Sequence, residues 1–172
     1  KHPYMINTAA DWDTFRNMVE DAKGQYDVYA QLMADISITE PAGQSTGYFR
    51  GTFDGCGHTL TVNLDKNWES VAPFQHVTGN NTVIRNLNVN GTITGKRYVA
   101  GIAGIGIDEN DYILVENCHV SASITTTDHY AGGIFGNGQW THLTVRNCLF
   151  DGTITNVGTT SSWVAACAFI GM

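Results

Sequence analysis

A chain of 172 residues is long enough to bury one hydrophobic core without disulfide staples. Only 15% of its residues are charged and the formal net charge is −7, which repels phosphate and argues against nucleic acid as a partner. No apolar run approaches the length of a membrane span, no basic run suits an anionic membrane, and four cysteines without a C-x-x-C spacing argue against a zinc site.

The chain opens at Lys1 with neither an initiator Met nor an apolar signal region, a start that a cleaved leader or a trimmed sequence would both give. Residues 8–23 carry apolar side chains at Trp12, Phe15, Met18 and Val19, a helical stripe, with Thr8 as N-cap and Asp11 in the first turn. A solenoid leaves its first coil with open backbone edges and a bare core, so this helix is expected to plug that end through Trp12 and Phe15. A strand from Tyr29 to Ile38 is expected next, opening a run of coils over 26–172.

From residue 84 the sequence repeats. Ile84-Arg85-Asn86-Leu87-Asn88-Val89 lines up with Val115-Glu116-Asn117-Cys118-His119-Val120 and again with Val145-Arg146-Asn147-Cys148-Leu149-Phe150. A second block follows each: Tyr98-Val99-Ala100-Gly101-Ile102, then Tyr130-Ala131-Gly132-Gly133-Ile134, then Trp163-Val164-Ala165-Ala166-Cys167. Within a repeat the apolar period is two, and Gly and Asn break the runs where a βαβ unit would need a helix. Strands that recur every ~30 residues must stack in parallel on their counterparts, which defines a solenoid. The columns Leu87/Cys118/Cys148 and Ile102/Ile134/Cys167 should point inward. The sequence stops inside a second block with no polar cap, so it is expected to be a piece of a longer protein, or to be covered there by another copy.

Leu32-Met33-Ala34-Asp35-Ile36, then Phe49-Arg50-Gly51-Thr52-Phe53-Asp54-Gly55-Cys56-Gly57-His58, together with the two repeated blocks and the Trp12-to-Phe15 spacing, resemble the GLUG-type β-helix domains of bacterial cell-surface proteins of gut Firmicutes and Bacteroidetes. Cys56 departs from the Asn usual there, and Ala165-Ala166-Cys167 from the usual glycines. The resemblance spans nearly the whole chain. It implies an all-β, right-handed parallel β-helix with an N-terminal capping α-helix, in a single domain over 1–172. It also implies an extracellular or cell-surface location, further domains in the same protein and a role in adhesion or polysaccharide contact, and it brings no catalytic residues.

Several constellations could carry chemistry. Asn86/Asn117/Asn147 should form an amide ladder and Arg85/Glu116/Arg146 a ladder of alternating charge, both structural. Asp54 and His58 bracket two glycines, which reads as a turn before it reads as a metal corner. Asp108, Glu109 and Asp111 form an acidic loop that could give calcium only part of its oxygen shell, so no cofactor is expected. The histidines, His142 among them, show no shared column and read as surface residues. Tyr98, Tyr130 and Trp163 precede an inward column, so by strand alternation they should face solvent. Three aromatic faces one coil apart would make a flat strip for sugar rings or a peptide, with Arg97 and His129 as polar contacts, or would simply cover a turn.

Three roles compete: a non-catalytic surface module that binds a glycan or a surface protein, a polysaccharide lyase or glycoside hydrolase, and a plain stalk. Lyases need a base among cations and hydrolases need spaced carboxylates. No column gathers carboxylates, and an acidic chain repels acidic polymers. The binding module is the expectation, acting without membrane insertion of this segment.

Overall fold

The computed structural model describes residues 2–44, 47–158 and 165–172. Among these residues short strands form four sheets that wind as a parallel β-solenoid of about five coils, with one helix, Ala9–Ala22, near the N-terminus. A six-stranded sheet holds Tyr4–Ile6, Val28–Leu32, Gly51–Asp54, Thr82–Arg85, Tyr112–Glu116 and His142–Arg146 in that order. A seven-stranded sheet and two three-stranded sheets close the remaining sides.

The repeat sets the register. Val115 pairs with Ile84 and with Val145, and Ile124 pairs with Ile93 and Ile154, as the sequence alignment requires. Side chains of one parity therefore pile into files that exclude water, such as Ala30, Phe53, Ile84 and Val115, each at most 1% exposed. Leu87 and Cys118 occupy the predicted inward column at 0% and 2% exposure, with Cys148 half-buried after them.

Asn86, Asn117 and Asn147 all sit at φ 52°, the left-handed conformation that Asn tolerates better than most residues. There the chain bends out of one sheet toward the next. The amide of Asn117 donates to Asn86 Oδ1 at 3.2 Å, and Asn86 donates to Asp54 Oδ1 at 3.0 Å, so the same residues that make the corner also tie three coils together.

The helix begins as its sequence predicts. Thr8 accepts from the Asp11 N–H at 3.2 Å while the Asp11 carboxylate accepts from the Thr8 N–H at 3.0 Å, a reciprocal capping box. Trp12 and Phe15, at most 1% exposed, pack into a cluster with Phe49, Phe53 and Phe74. The helix thus covers the core with aromatic rings, and the Trp12 indole N–H donates to the Glu40 carbonyl at 2.9 Å.

Three expectations need correction. The strand expected over Tyr29 to Ile38 is two strands, Val28–Leu32 and Ile36–Ile38. The alternation runs on between them, with Met33 and Asp35 exposed between buried Leu32 and Ile36, and Asp35 fastens the corner by accepting from the Thr59 N–H. A strand at Tyr4–Ile6 precedes the helix and pairs with Val28–Leu32, too short to show in the sequence pattern. In the last coil Ala131 pairs with Ala166, where the repeat alignment had set it against Val164. Ile134 consequently faces Phe169 through its backbone hydrogen bond, and Cys167 lies opposite Gly132, exposed and outside the inward column. Nine residues separate Thr153–Asn156 from Ala166–Cys167, against four between Ser123–Thr126 and Ala131–Gly132, and aligning by residue type absorbed that extra length wrongly.

Candidate functional site

The predicted aromatic strip is changed by this register. Trp163 lies outside the described residues, and the place opposite Tyr130 falls to Ala165, whose carbonyl accepts from the Ala131 N–H as that of Tyr130 does from Val99. Tyr98 and Tyr130 are brought together, but face on face, with ring centroids 5.7 Å apart and planes within 6°. The Arg97 guanidinium lies 5.5 Å from the Tyr98 centroid and is ion-paired with Glu69. The His129 ring tilts against Tyr130 at 5.6 Å while its Nδ1 contacts Asp128 at 2.5 Å. Both rings are partly buried among these neighbours. Tyr98 itself is at φ 52°, so this group builds the corner between sheets.

The acidic loop is likewise used internally. Asp111 is buried, accepting from the Gly79 N–H at 2.6 Å and from the Asp108 N–H at 3.1 Å, while Asp108 accepts from the backbone and side chain of Asn110. Those hydrogen bonds hold the Asp108 carboxyl below its usual range. Glu109 joins none of these contacts. Among the described residues no cluster of three or more His, Cys, Asp or Glu is arranged to hold a metal ion. Asp54 and His58 also part company: Asp54 turns to Asn86, Arg85 and the Cys56 N–H, and His58 pairs with Asp35 at 3.2 Å.

The structure assembles a different surface, on the outward face of the six-stranded sheet. Three files of side chains run along it. The middle one is Tyr29, Thr52, Val83, Leu114 and Thr144, each paired with the next. On one flank Tyr112, 56% exposed, stacks on His142 with centroids 4.4 Å apart and planes 15° from parallel. On the other flank run Gln31, Asp54, Arg85, Glu116 and Arg146, again paired in register. Here Arg85 Nε donates to Asp54 at 2.9 Å and Arg146 is ion-paired with Glu116. A groove of about 320 Å³ lies over Val83, Leu114, Tyr112, His142 and Arg146. Separate depressions, of about 160 and 480 Å³, lie at Thr52 and Tyr29 toward the N-terminal end.

The electrostatics of this face differ from those of the whole. Asp27 with Arg50, Asp54 with Arg85 and Glu116 with Arg146 are opposite charges in contact, so the face is neutral on a molecule of net charge −7. Asp54 is the most buried of these carboxylates. Burial works to raise its pKa, but hydrogen bonds from the Asn86 side chain and the Cys56 N–H, together with Arg85, outweigh it and hold the carboxyl below its usual range.

Sequence reading missed this face because Val83 and Leu114 look like core residues until the parity of the strand is known. The signal was present: Tyr112 and His142 occupy equivalent places one coil apart. The charge ladder at 85, 116 and 146 was legible, and the structure extends it by one rung to Asp54.

The fold and its helical plug define the class: a parallel β-solenoid whose outer sheet face presents ordered files of side chains. No family model matches the chain. It is 27% identical over 134 residues to a candidate Gly-rich membrane protein of Evansella cellulosilytica, covering 70% of this chain and 14% of that one. It is 27% identical over 148 residues to halomucin of Haloquadratum walsbyi, covering 78% of this chain and 2% of that one. The chain therefore spans only a small part of the relatives it matches. Among solved structures it resembles a candidate immunoglobulin A1 protease from Bacteroides ovatus, with a TM-score of 0.52 at 16% identity, over 98% of this chain and 83% of that one, a likeness of fold. No helix among the described residues is long and apolar enough to cross a membrane.

Proposed function

We propose that this chain is a non-catalytic module of an extracellular or cell-surface protein that holds an extended, neutral glycan along the outward face of its six-stranded sheet. The observation that carries the reading is the neutral groove over Val83 and Leu114, flanked by the stacked Tyr112–His142 pair and by the charge ladder. Sugars offer apolar C–H faces and many hydroxyls. An aliphatic floor and aromatic wall suit the first, while Thr52, Thr144 and the paired charges offer donors and acceptors to the second. The five strands from Tyr29 to Thr144 span ~19 Å along the stack, room for several units of a linear polymer. The likeness to GLUG-type surface domains and the names of the relatives agree with a surface location.

A hydrolase is the competing reading, since Asp54 and Glu116 lie two strands apart on one file, ~9.5 Å, near the spacing of inverting glycosidases. A general acid, however, needs a raised pKa, whereas that of Asp54 is lowered, and each carboxylate is engaged by an arginine. The binding reading fits better.

The test is retention on a glycan array by the wild type, Tyr112→Ala and Tyr130→Ala. Tyr112→Ala should lower retention about tenfold or more, the worth of one exposed aromatic contact. Tyr130→Ala should leave it unchanged. Loss with Tyr130→Ala alone moves the site to the Tyr98–Tyr130 corner, and retention unaffected by either variant ends the proposal.

A further inference from the structure

Cys118 and Cys148 take the place of Leu87 in the next two coils. The strands before them pair Glu116 with Arg146 and those after them pair His119 with Leu149, so the two cysteines face one another across a single coil step. Both follow an Asn at φ 52°, so their side chains leave matching corners in the same direction, inward. The Cys118 side chain is buried and donates to the Ile84 and Glu116 carbonyls, while the half-buried Cys148 side chain donates to the Val115 and Arg146 carbonyls. One coil step is ~4.8 Å, inside the range of Cα separations that a disulfide bridges. From these placements we propose that Cys118 and Cys148 are a cross-linking site, closing a disulfide between successive coils when the protein meets a small-molecule disulfide.

The chemistry divides by exposure. Cys148 borders a depression shared with Val145, Phe169 and Ile170, so a small disulfide RS–SR reaches its sulfur. The Cys148 thiolate attacks one sulfur of RS–SR, forms a mixed disulfide and releases one RS⁻. Cys118 then gives up its proton and attacks the Cys148 sulfur, releasing the second RS⁻. The two protein thiols lose two electrons and two protons, and RS–SR takes them up as two RSH. The neighbouring Cys118 thiol lowers the Cys148 thiol pKa, which favours Cys148 as the attacking group. The neighbouring Cys148 thiol and burial raise that of Cys118, which suits the resolving one. Closure requires the Cβ atoms to draw together by ~1 Å, to ~3.8 Å. The inference does not depend on what the outward face binds.

The experiment uses the chain with Cys56→Ser and Cys167→Ser, both exposed positions, treated when folded and dilute with oxidised glutathione. Trypsin cuts after Arg146 and so separates Cys118 from Cys148. The expected product is a monomer lighter by two hydrogens, whose 98–146 and 147–172 peptides stay joined until reduced. Its Tm should be higher by about 5–10 °C, reversible with dithiothreitol, because the closed loop restricts the unfolded chain. Adding Cys148→Ser should abolish the joined peptide. Stable glutathione adducts without the link, a disulfide-linked dimer, or no reaction in the folded chain would each overturn the proposal.

Discussion

Phe74→Ala probes the joint between the helical plug and the coils. Phe74 is fully buried and lies 4.9 Å from Phe53, 5.0 Å from Phe49, 5.9 Å from Trp12 and 6.4 Å from Phe15, centroid to centroid. Truncating a buried Phe costs ~3–5 kcal/mol through lost transfer energy and the cavity left behind. Four ring contacts, each ~0.5–1.5 kcal/mol beyond area, place this site in the upper part of that range. For a chain of this length the loss corresponds to a Tm lower by about 8–20 °C. Urea unfolding followed by tryptophan fluorescence reads it well. Trp12 is 1% exposed, while Trp68 and Trp140 are 37% and 56% exposed, so in a chain that carries Trp163→Phe the blue-shifted emission reports on the plug. A parallel titration by far-ultraviolet circular dichroism follows the coils. The plug and the first coils share one aromatic core, so both signals should move together to lower urea. A loss below ~1 kcal/mol, or a Trp12 transition that separates from an unchanged coil transition, would refute the idea that the helix and coils share a core.

Further outcomes follow from the same geometry. Gly91 sits at φ 101°, and a Cβ there would lie 2.1 Å from the Val62 carbonyl oxygen, so Gly91→Ala should destabilise by several kcal/mol in a thermal melt. Gly57, at φ 81° with nothing within 4 Å of its Cβ position, should lose only ~1 kcal/mol on the same change. The folded pKa of Asp54 lies below the unfolded value near ~3.9, so its stabilising effect is complete above that value and drains away as pH falls through the folded one. Asp54→Asn should therefore cost ~1–3 kcal/mol at pH 7, and the gap from wild type should shrink in melts at about pH 3. A gap that is constant with pH would mean the charge does not matter there.

The solenoid was legible because its repeat states the register directly: once Ile84, Val115 and Val145 are aligned, the pairing of whole strands follows. The capping box was legible for a similar reason, since Thr8 and Asp11 are three residues apart and need nothing else. What was not legible depends on loops and on strand parity. The slip that moves Cys167 out of the core and sets Ala165 in the place assigned to Trp163 comes from the extra residues between Asn156 and Ala166, whose number carries no pattern. The outward groove depends on which face Val83 and Leu114 take, and an apolar residue in a strand points to neither face by itself. Tyr98 and Tyr130 were rightly paired by sequence, but only the geometry shows that their faces meet.

The claim beneath all of this is that residues one coil apart stand directly over one another, which makes the outer face a single surface. Spin labels on non-natural amino acids at positions 29 and 144, the two ends of the middle file, measure it directly by electron–electron double resonance. Four strand spacings predict a backbone separation of ~19 Å, read through the label arms as a narrow distribution of about 15–25 Å. A distribution centred beyond ~30 Å would contradict the stacking, and with it the groove and the thiol pair.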